Sequence, residues 1–238
     1  MALPKLNVPV YEAVLPSTEK VFKYRPFLVK EEKVLLTAQE GGEEAILPAV
    51  KEIIKNCVQG NIDVDNLPTF DLEYIFLKLR SRAVGEKATL GLKPWGCPKN
   101  NGELCEFTTE VEVDLEKVEC IKNKKHSPKI MLDSNIGIIM KYPDISQMKM
   151  KGNQAEVGMN IIKKCINMIF TKDETHERDS FTEKELDDFL DSLNSKQFTK
   201  INDFFETMPK LSYTAKYKCK TCEEKKETTI EGLQSFFG

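Results

Sequence analysis

The sequence contains no apolar run approaching the ~20 residues that a membrane-spanning helix needs; its uninterrupted apolar stretches are only a few residues long. It has no large excess of one charge. Thirty-five basic residues stand against 38 acidic ones, a net charge of -3, which argues against a broad electrostatic grip on nucleic acid. The opening MALPKLNVPVYEAVLP carries Pro4 and no basic-then-apolar leader, so an intracellular, non-secreted protein is expected. No phosphate-binding Walker loop and no dinucleotide fingerprint occur. No glycine pattern of a nucleophile elbow surrounds any serine. The stretch DETHERDSFTEK lacks the sixth-position Gly and the twelfth-position Glu of a calcium loop. These absences leave no recognisable catalytic site. A non-enzymatic protein without a small-molecule substrate is expected.

What is present is an ordinary globular balance, 40% hydrophobic and 31% charged. A chain of 238 residues buries roughly 70–75% of its extended surface and needs no disulfide to hold a core. Residues 8–25 read as a hairpin: Val8, Val10 and Val14, then Val21, Phe22 and Tyr24, joined across the turn-forming LPSTEK. Three helices follow. The first is opened by Pro26 and ends at Gly41-Gly42. The second places Leu47, Val50, Ile53, Ile54, Cys57 and Val58 on one face and closes at Gly60. The third runs from about Thr69 to Gly85, with Leu72, Ile75, Phe76, Leu79 and Ala83 on one face.

From about 86 to 142 the period changes to two, through Val111, Val113 and Leu115 and on through Ile130, Leu132, Ile136, Ile138 and Met140. A helix is predicted over about 154–170, with Val157, Ile161, Cys165, Met168 and Ile169 on one face. Residues 172–191 hold nine acidic and three basic side chains, more naturally a solvated face than a binding tail. Within them Ser180 or Thr182 caps a helix, and another follows at about 195–208 with Phe198, Ile201, Phe204 and Phe205. Tyr213, Ala215 and Tyr217 restore the strand period. The predicted fold class is therefore α+β, as one domain over 1–238. Its parts are an N-terminal hairpin and three helices over 1–85, a β framework over 86–150 and 209–238, and a helical insertion over 151–208. A split near 150 is the alternative.

Cysteine spacing carries the best chemistry. KCKTC sets Cys219 and Cys222 at Cys-x-x-Cys spacing between two predicted strands, a turn able to aim two thiolates at one tetrahedral zinc. A second pair, Cys97 and Cys105, lies in the turn-rich WGCPKNNGELCEF. Its seven intervening residues exceed the usual spacing of a knuckle. Three readings stay open: a structural Zn²⁺ held by Cys97, Cys105, Cys219 and Cys222, an unmetallated thiol cluster, and a disulfide or redox pair. Four protein ligands would leave such an ion no open position for catalysis. A redox pair prefers a helix N-terminus, and here the neighbours read as strands. Cys57 and Cys165 fall on apolar helix faces as core thiols. Both histidines, His126 in KNKKHSPK and His176 in the acidic stretch, read as solvated surface residues, and Lys122, Lys124, Lys125 and Lys129 as a solvated basic turn.

Three strings share a resemblance: LPKLNVPVYEAVLPSTEKVFKYRPFLVKEEKVLL at 3–36, FLKLRSRAVGE at 76–86 and IEGLQSFF at 230–237. Matching in order and at both ends, they resemble the baseplate hub proteins of T-even-type (T4-like) contractile-tailed phages. The resemblance implies a non-enzymatic structural or assembly protein that contacts other hub subunits and assembles in the host cytoplasm. It also implies zinc-ribbon-like cysteine hairpins, a pattern that maps onto Cys97, Cys105, Cys219 and Cys222. The rival reading is a zinc-ribbon nucleic-acid-binding or regulatory protein, using Lys218, Lys220, Lys225 and Lys226 beside the knuckle.

Overall fold

The computed structural model describes residues 6–93, 103, 108–144 and 153–232. The chain forms two compact units, the first from residues 1–121 and 210–238, the second from residues 122–209.

Unit 1 begins with β1 (Tyr11–Val14) and β2 (Val21–Tyr24), the antiparallel hairpin read from the sequence, with β3 (Val58–Gln59) pairing on β2. Helices α1 (Val29–Glu40), α2 (Glu43–Cys57) and α3 (Thr69–Ala83) follow. The Gly41-Gly42 pair stops α1 as expected, with Gly42 at the positive φ that only glycine adopts without strain. Gly60 does not close α2: Val58 turns extended to pair in β3, so the helix ends at Cys57 and Gly60 follows a strand. The central helix is α3, whose Ile75, Phe76, Leu77 and Leu79 are fully buried. Phe27 stacks on Phe76 with ring centroids 6.2 Å apart.

Two polar ties fix how the hairpin and helices meet. Arg25, just after β2, donates to Glu31 Oε1 at 2.8 Å and to the Asn56 carbonyl at 3.0 Å, joining β2, α1 and α2. Ser17, in the hairpin turn, donates its N–H to Asp71 Oδ1 at 3.0 Å and its hydroxyl to the other oxygen, pinning the turn to the first turn of α3. Both acids are buried, and each such group must be hydrogen-bonded to be tolerated there.

The second half of unit 1 is β. Strands β4 (Lys87–Leu92) and β5 (Thr109–Asp114) pair antiparallel from Lys87↔Asp114 to Leu92↔Thr109. A 3-10 turn at Leu115–Lys117 leads to β6 (Glu119–Ile121). Near the C-terminus β11 (Lys210–Lys218) pairs with β6 on one side and β12 (Lys225–Glu231) on the other. Leu90, Val111, Val113, Leu115, Leu211 and Ile230 bury one face of this framework, and Leu77 of α3 packs into the same cluster.

Among the described residues, unit 2 is a four-stranded sheet carrying three helices. Its sheet has the order β10-β9-β8-β7, from β7 (Lys129–Met131), β8 (Gly137–Met140), β9 (Ile166–Phe170) and β10 (Thr175–Glu177). Its helices are α4 (Gln154–Cys165), α5 (Glu183–Asp191) and α6 (Ser195–Thr207). Thr182, not Ser180, caps α5: its Oγ1 accepts from Glu185 N–H at 3.2 Å, and Glu185 Oε2 accepts from Thr182 N–H at 2.7 Å. Ser180 instead lies in a 3-10 turn and donates to the Glu177 carbonyl. The aromatic side of α6, with Phe198, Phe204 and Phe205, packs into the core of this unit.

Two expectations change. The helix predicted over 154–170 stops at Cys165, and Ile166–Phe170 becomes the inner strand β9, paired with both β8 and β10. Ile166, Ile169 and Phe170 are the β-branched and aromatic types that fit a half-buried pleated surface, and ladder pairing on both sides outweighs the apparent helical period. For the same reason 129–140 leaves the β framework assigned to 86–150. Strand β7 pairs with β8 and β8 with β9, so the division falls between Ile121 and Lys122 rather than at 150.

Candidate functional site

The Cys219–Cys222 pair sits in the turn that closes β11 and β12. Cys219 N–H donates to the Glu224 carbonyl and Glu223 N–H donates to the Cys219 carbonyl, both at 2.9 Å. Glu223 takes the left-handed φ of +62° that such a reversal needs. Cys219 is buried, Cys222 is half-buried, and the two side chains pack together. The sequence expectation of a tight turn carrying two thiols between strands is met at this hairpin.

Sequence reasoning missed what anchors the turn. Lys220 N–H, inside the Cys-x-x-Cys, donates to Thr109 Oγ1 at 3.1 Å. Thr109 is a buried polar residue at the start of β5, opposite Leu92 at the end of β4. The stretch joining Leu92 to Thr109 is the one whose sequence carries Cys97 and Cys105. Those two cysteines lie outside the described residues. Among the described residues, no group of three or more His, Cys, Asp or Glu side chains is placed to hold a metal ion.

Two of the four lysines beside this turn have acid partners: Lys218 lies 3.4 Å from Glu223 and Lys226 2.9 Å from Glu224. The hydrogen bond that Glu224 accepts raises the Lys226 pKa above its ordinary value.

Cys57 and Cys165 are completely buried thiols, as their helix positions predicted. Burial pushes the Cys57 pKa up to about 11 and the Cys165 pKa up to about 12, so neither is a poised nucleophile. Cys120 is half-buried at the edge of the β framework core.

His126 is not the solvated surface histidine expected from its basic surroundings. It is half-buried, with Nδ1 3.0 Å from Thr207 Oγ1 and Nε2 3.0 Å from the Tyr142 hydroxyl. Its ring stacks on Tyr142 at 5.5 Å and leans on Phe204 at 5.0 Å. Its three partners come from segments 16 to 81 residues away, a distance that local composition cannot reveal. His176 is exposed and lies 3.4 Å from Glu174.

The described surface offers apolar ground in unit 1. Val10, Val14 and Val21 are exposed on the N-terminal hairpin, and Val29 and Leu36 on α1. A shallow open groove of about 470 Å³ runs between α1 and α2, floored by Val34, Ala38, Ala45 and Ala49. No helix among the described residues is long and apolar enough to cross a membrane.

The family model for T4 bacteriophage base plate protein matches residues 8–238. The chain belongs to that family. No curated protein and no solved structure matches it. Membership makes this a phage base plate protein, whose work is structural, and the match runs continuously through both compact units.

Proposed function

We propose that this base plate protein is a hub structural or assembly subunit that acts through protein–protein contacts rather than by catalysis. The family match over residues 8–238 carries the reading. The exposed apolar residues of β1, β2 and α1 support it, because surface of this kind is what subunit interfaces cover. The subunit is made and assembled in the host cytoplasm, and its partners are other hub subunits of the tail. Co-expression with the neighbouring tail proteins, followed by affinity capture through this chain, tests it. Stoichiometric recovery of hub subunits is expected, and is lost when Val14 and Val21 are replaced by Asp. Recovery of none of them, with the folded protein remaining alone, overturns it.

We further propose that Cys97, Cys105, Cys219 and Cys222 hold a structural zinc. The supporting observation is the Lys220–Thr109 hydrogen bond, which fastens the Cys219–Cys222 turn to the residue where the cysteine-bearing β4–β5 connection ends. A closed thiolate site of this type contributes folding free energy and no open coordination position. Elemental analysis of the purified protein is expected to give about one zinc per chain, reduced by the Cys219→Ser and Cys222→Ser replacements. A folded, metal-free chain refutes the site.

A further inference from the structure

We infer that His126 is an acid-sensitive latch that holds the entry segment of unit 2 against the end of α6 and keeps an aromatic cluster covered. The hydrogen-bond pattern specifies one form of the ring. Thr207 Oγ1 lies 2.6 Å from the Asp203 carbonyl, to which it donates its single proton. It therefore accepts from His126, which places the ring proton on Nδ1. Nε2 is left as the acceptor for the Tyr142 hydroxyl. The neutral Nδ1–H tautomer satisfies both bonds at once. Protonation turns Nε2 into a donor facing a donor, and the Tyr142 bond must reverse or break.

The surroundings reinforce this preference. The ring packs beside Tyr142 and Phe204, which also contact each other at 5.6 Å, and Phe204 is itself buried with Phe205 edge-on at 5.2 Å. Tyr142 is the titratable partner on the segment after β8. On α6 the nearby carboxylates, Asp203 and Glu206, are exposed to solvent, as are Lys124 and Lys125 on the histidine's own turn. Burial is the cause that holds the His126 pKa below its ordinary value. Attraction between an imidazolium and the neighbouring aromatic rings acts the other way.

The latch also has something to release. The segment it fastens is a turn built on Asn123, which accepts from Lys125 N–H at 2.9 Å through its side chain and from His126 N–H at 3.0 Å through its carbonyl. These contacts are local, whereas the His126 ring reaches Thr207 and Tyr142. Losing the ring contacts frees the turn and exposes the edge of the contacting Tyr142–Phe204 pair, a state open in acid and closed at neutral pH.

Histidine-resolved NMR titration of the full chain, together with hydrogen exchange at about pH 7 and about pH 5, tests the latch. His126 is expected to titrate below about 6.5, with amide protection over 122–128 falling several-fold between the two conditions after correction for intrinsic exchange. His126→Gln, uncharged at both pH values, is expected to lose that pH dependence. Tyr142→Phe removes the donor to Nε2 and raises the His126 titration point, a readout available even if the Gln variant does not fold. Titration of His126 at or above the ordinary histidine value of about 6.5, equal protection at both pH values, or unchanged pH dependence in His126→Gln overturns the inference.

Discussion

Arg25 and Glu31 meet at 2.8 Å at the mouth of α1, where Glu31 is buried and also accepts from Leu28 N–H at 2.9 Å. Burial alone raises the Glu31 pKa, but the Arg25 hydrogen bond, the Leu28 N–H and Lys30 outweigh it and hold the carboxyl at about 2. A carboxyl with a depressed folded-state pKa stabilises fully above its unfolded value and progressively less as pH falls toward the folded one. Chemical denaturation is therefore expected to show up to about 3 kcal/mol of Glu31-dependent stability at neutral pH. It drains away between about pH 5.5 and about pH 2. Glu31→Gln is expected to cost about 2–4 kcal/mol at neutral pH, because Arg25 is left without its charge partner, and to flatten the acid limb.

At Gly137 a Cβ would collide with the Phe170 ring, its registered neighbour across β8 and β9. Lys129 Nζ lies over that ring, 4.9 Å from its centroid. Gly137→Ala is expected to destabilise the protein by about 1–3 kcal/mol through overpacking. Thermal unfolding measures it, and Phe170→Leu in the same chain should recover part of the loss.

Asp71 anchors the β1–β2 turn from within α3. Asp71→Ala leaves the Ser17 donors without that acceptor, at an expected cost of about 1–3 kcal/mol. Limited proteolysis should then cut first in the turn at Leu15–Lys20, ahead of any site in unit 2.

The buried thiols at Cys57 and Cys165 should resist alkylation in the native state, whereas half-buried Cys222 should react earlier. Mass spectrometry after a brief iodoacetamide pulse reads the order directly. Thr109→Val, which removes the acceptor for Lys220 N–H, should speed modification at Cys222 several-fold while leaving Cys57 untouched. Bound zinc would slow the same reaction, so the comparison is made with and without chelator.

The helices of unit 1 were legible from their apolar stripes, but their ends were less so: α1 starts at Val29 rather than at Pro26, and α2 gives way to β3 before Gly60 is reached. Ile166–Phe170 was misread because apolar residues at 165, 168 and 169 continue a helical spacing by coincidence. The decision was made by pairing partners on β8 and β10, which are distant in sequence. The Cys219–Cys222 turn was visible from spacing alone, but its anchor Thr109 was not, since a single threonine 111 residues away carries no local mark. His126 was hidden in the same way: a basic turn suggests solvent, and only the folded chain delivers Tyr142, Phe204 and Thr207 to its ring.

The register of β6 on β11 pairs Ile121 directly with Lys210, the last residue before unit 2 and the first one after it. The chain thus departs and resumes at facing positions of a single antiparallel ladder. A short reverse turn spliced between these two residues would make β6 and β11 an ordinary hairpin. Unit 2 is in this sense a cassette: its removal or exchange leaves every strand pairing of unit 1 with its partner still in place.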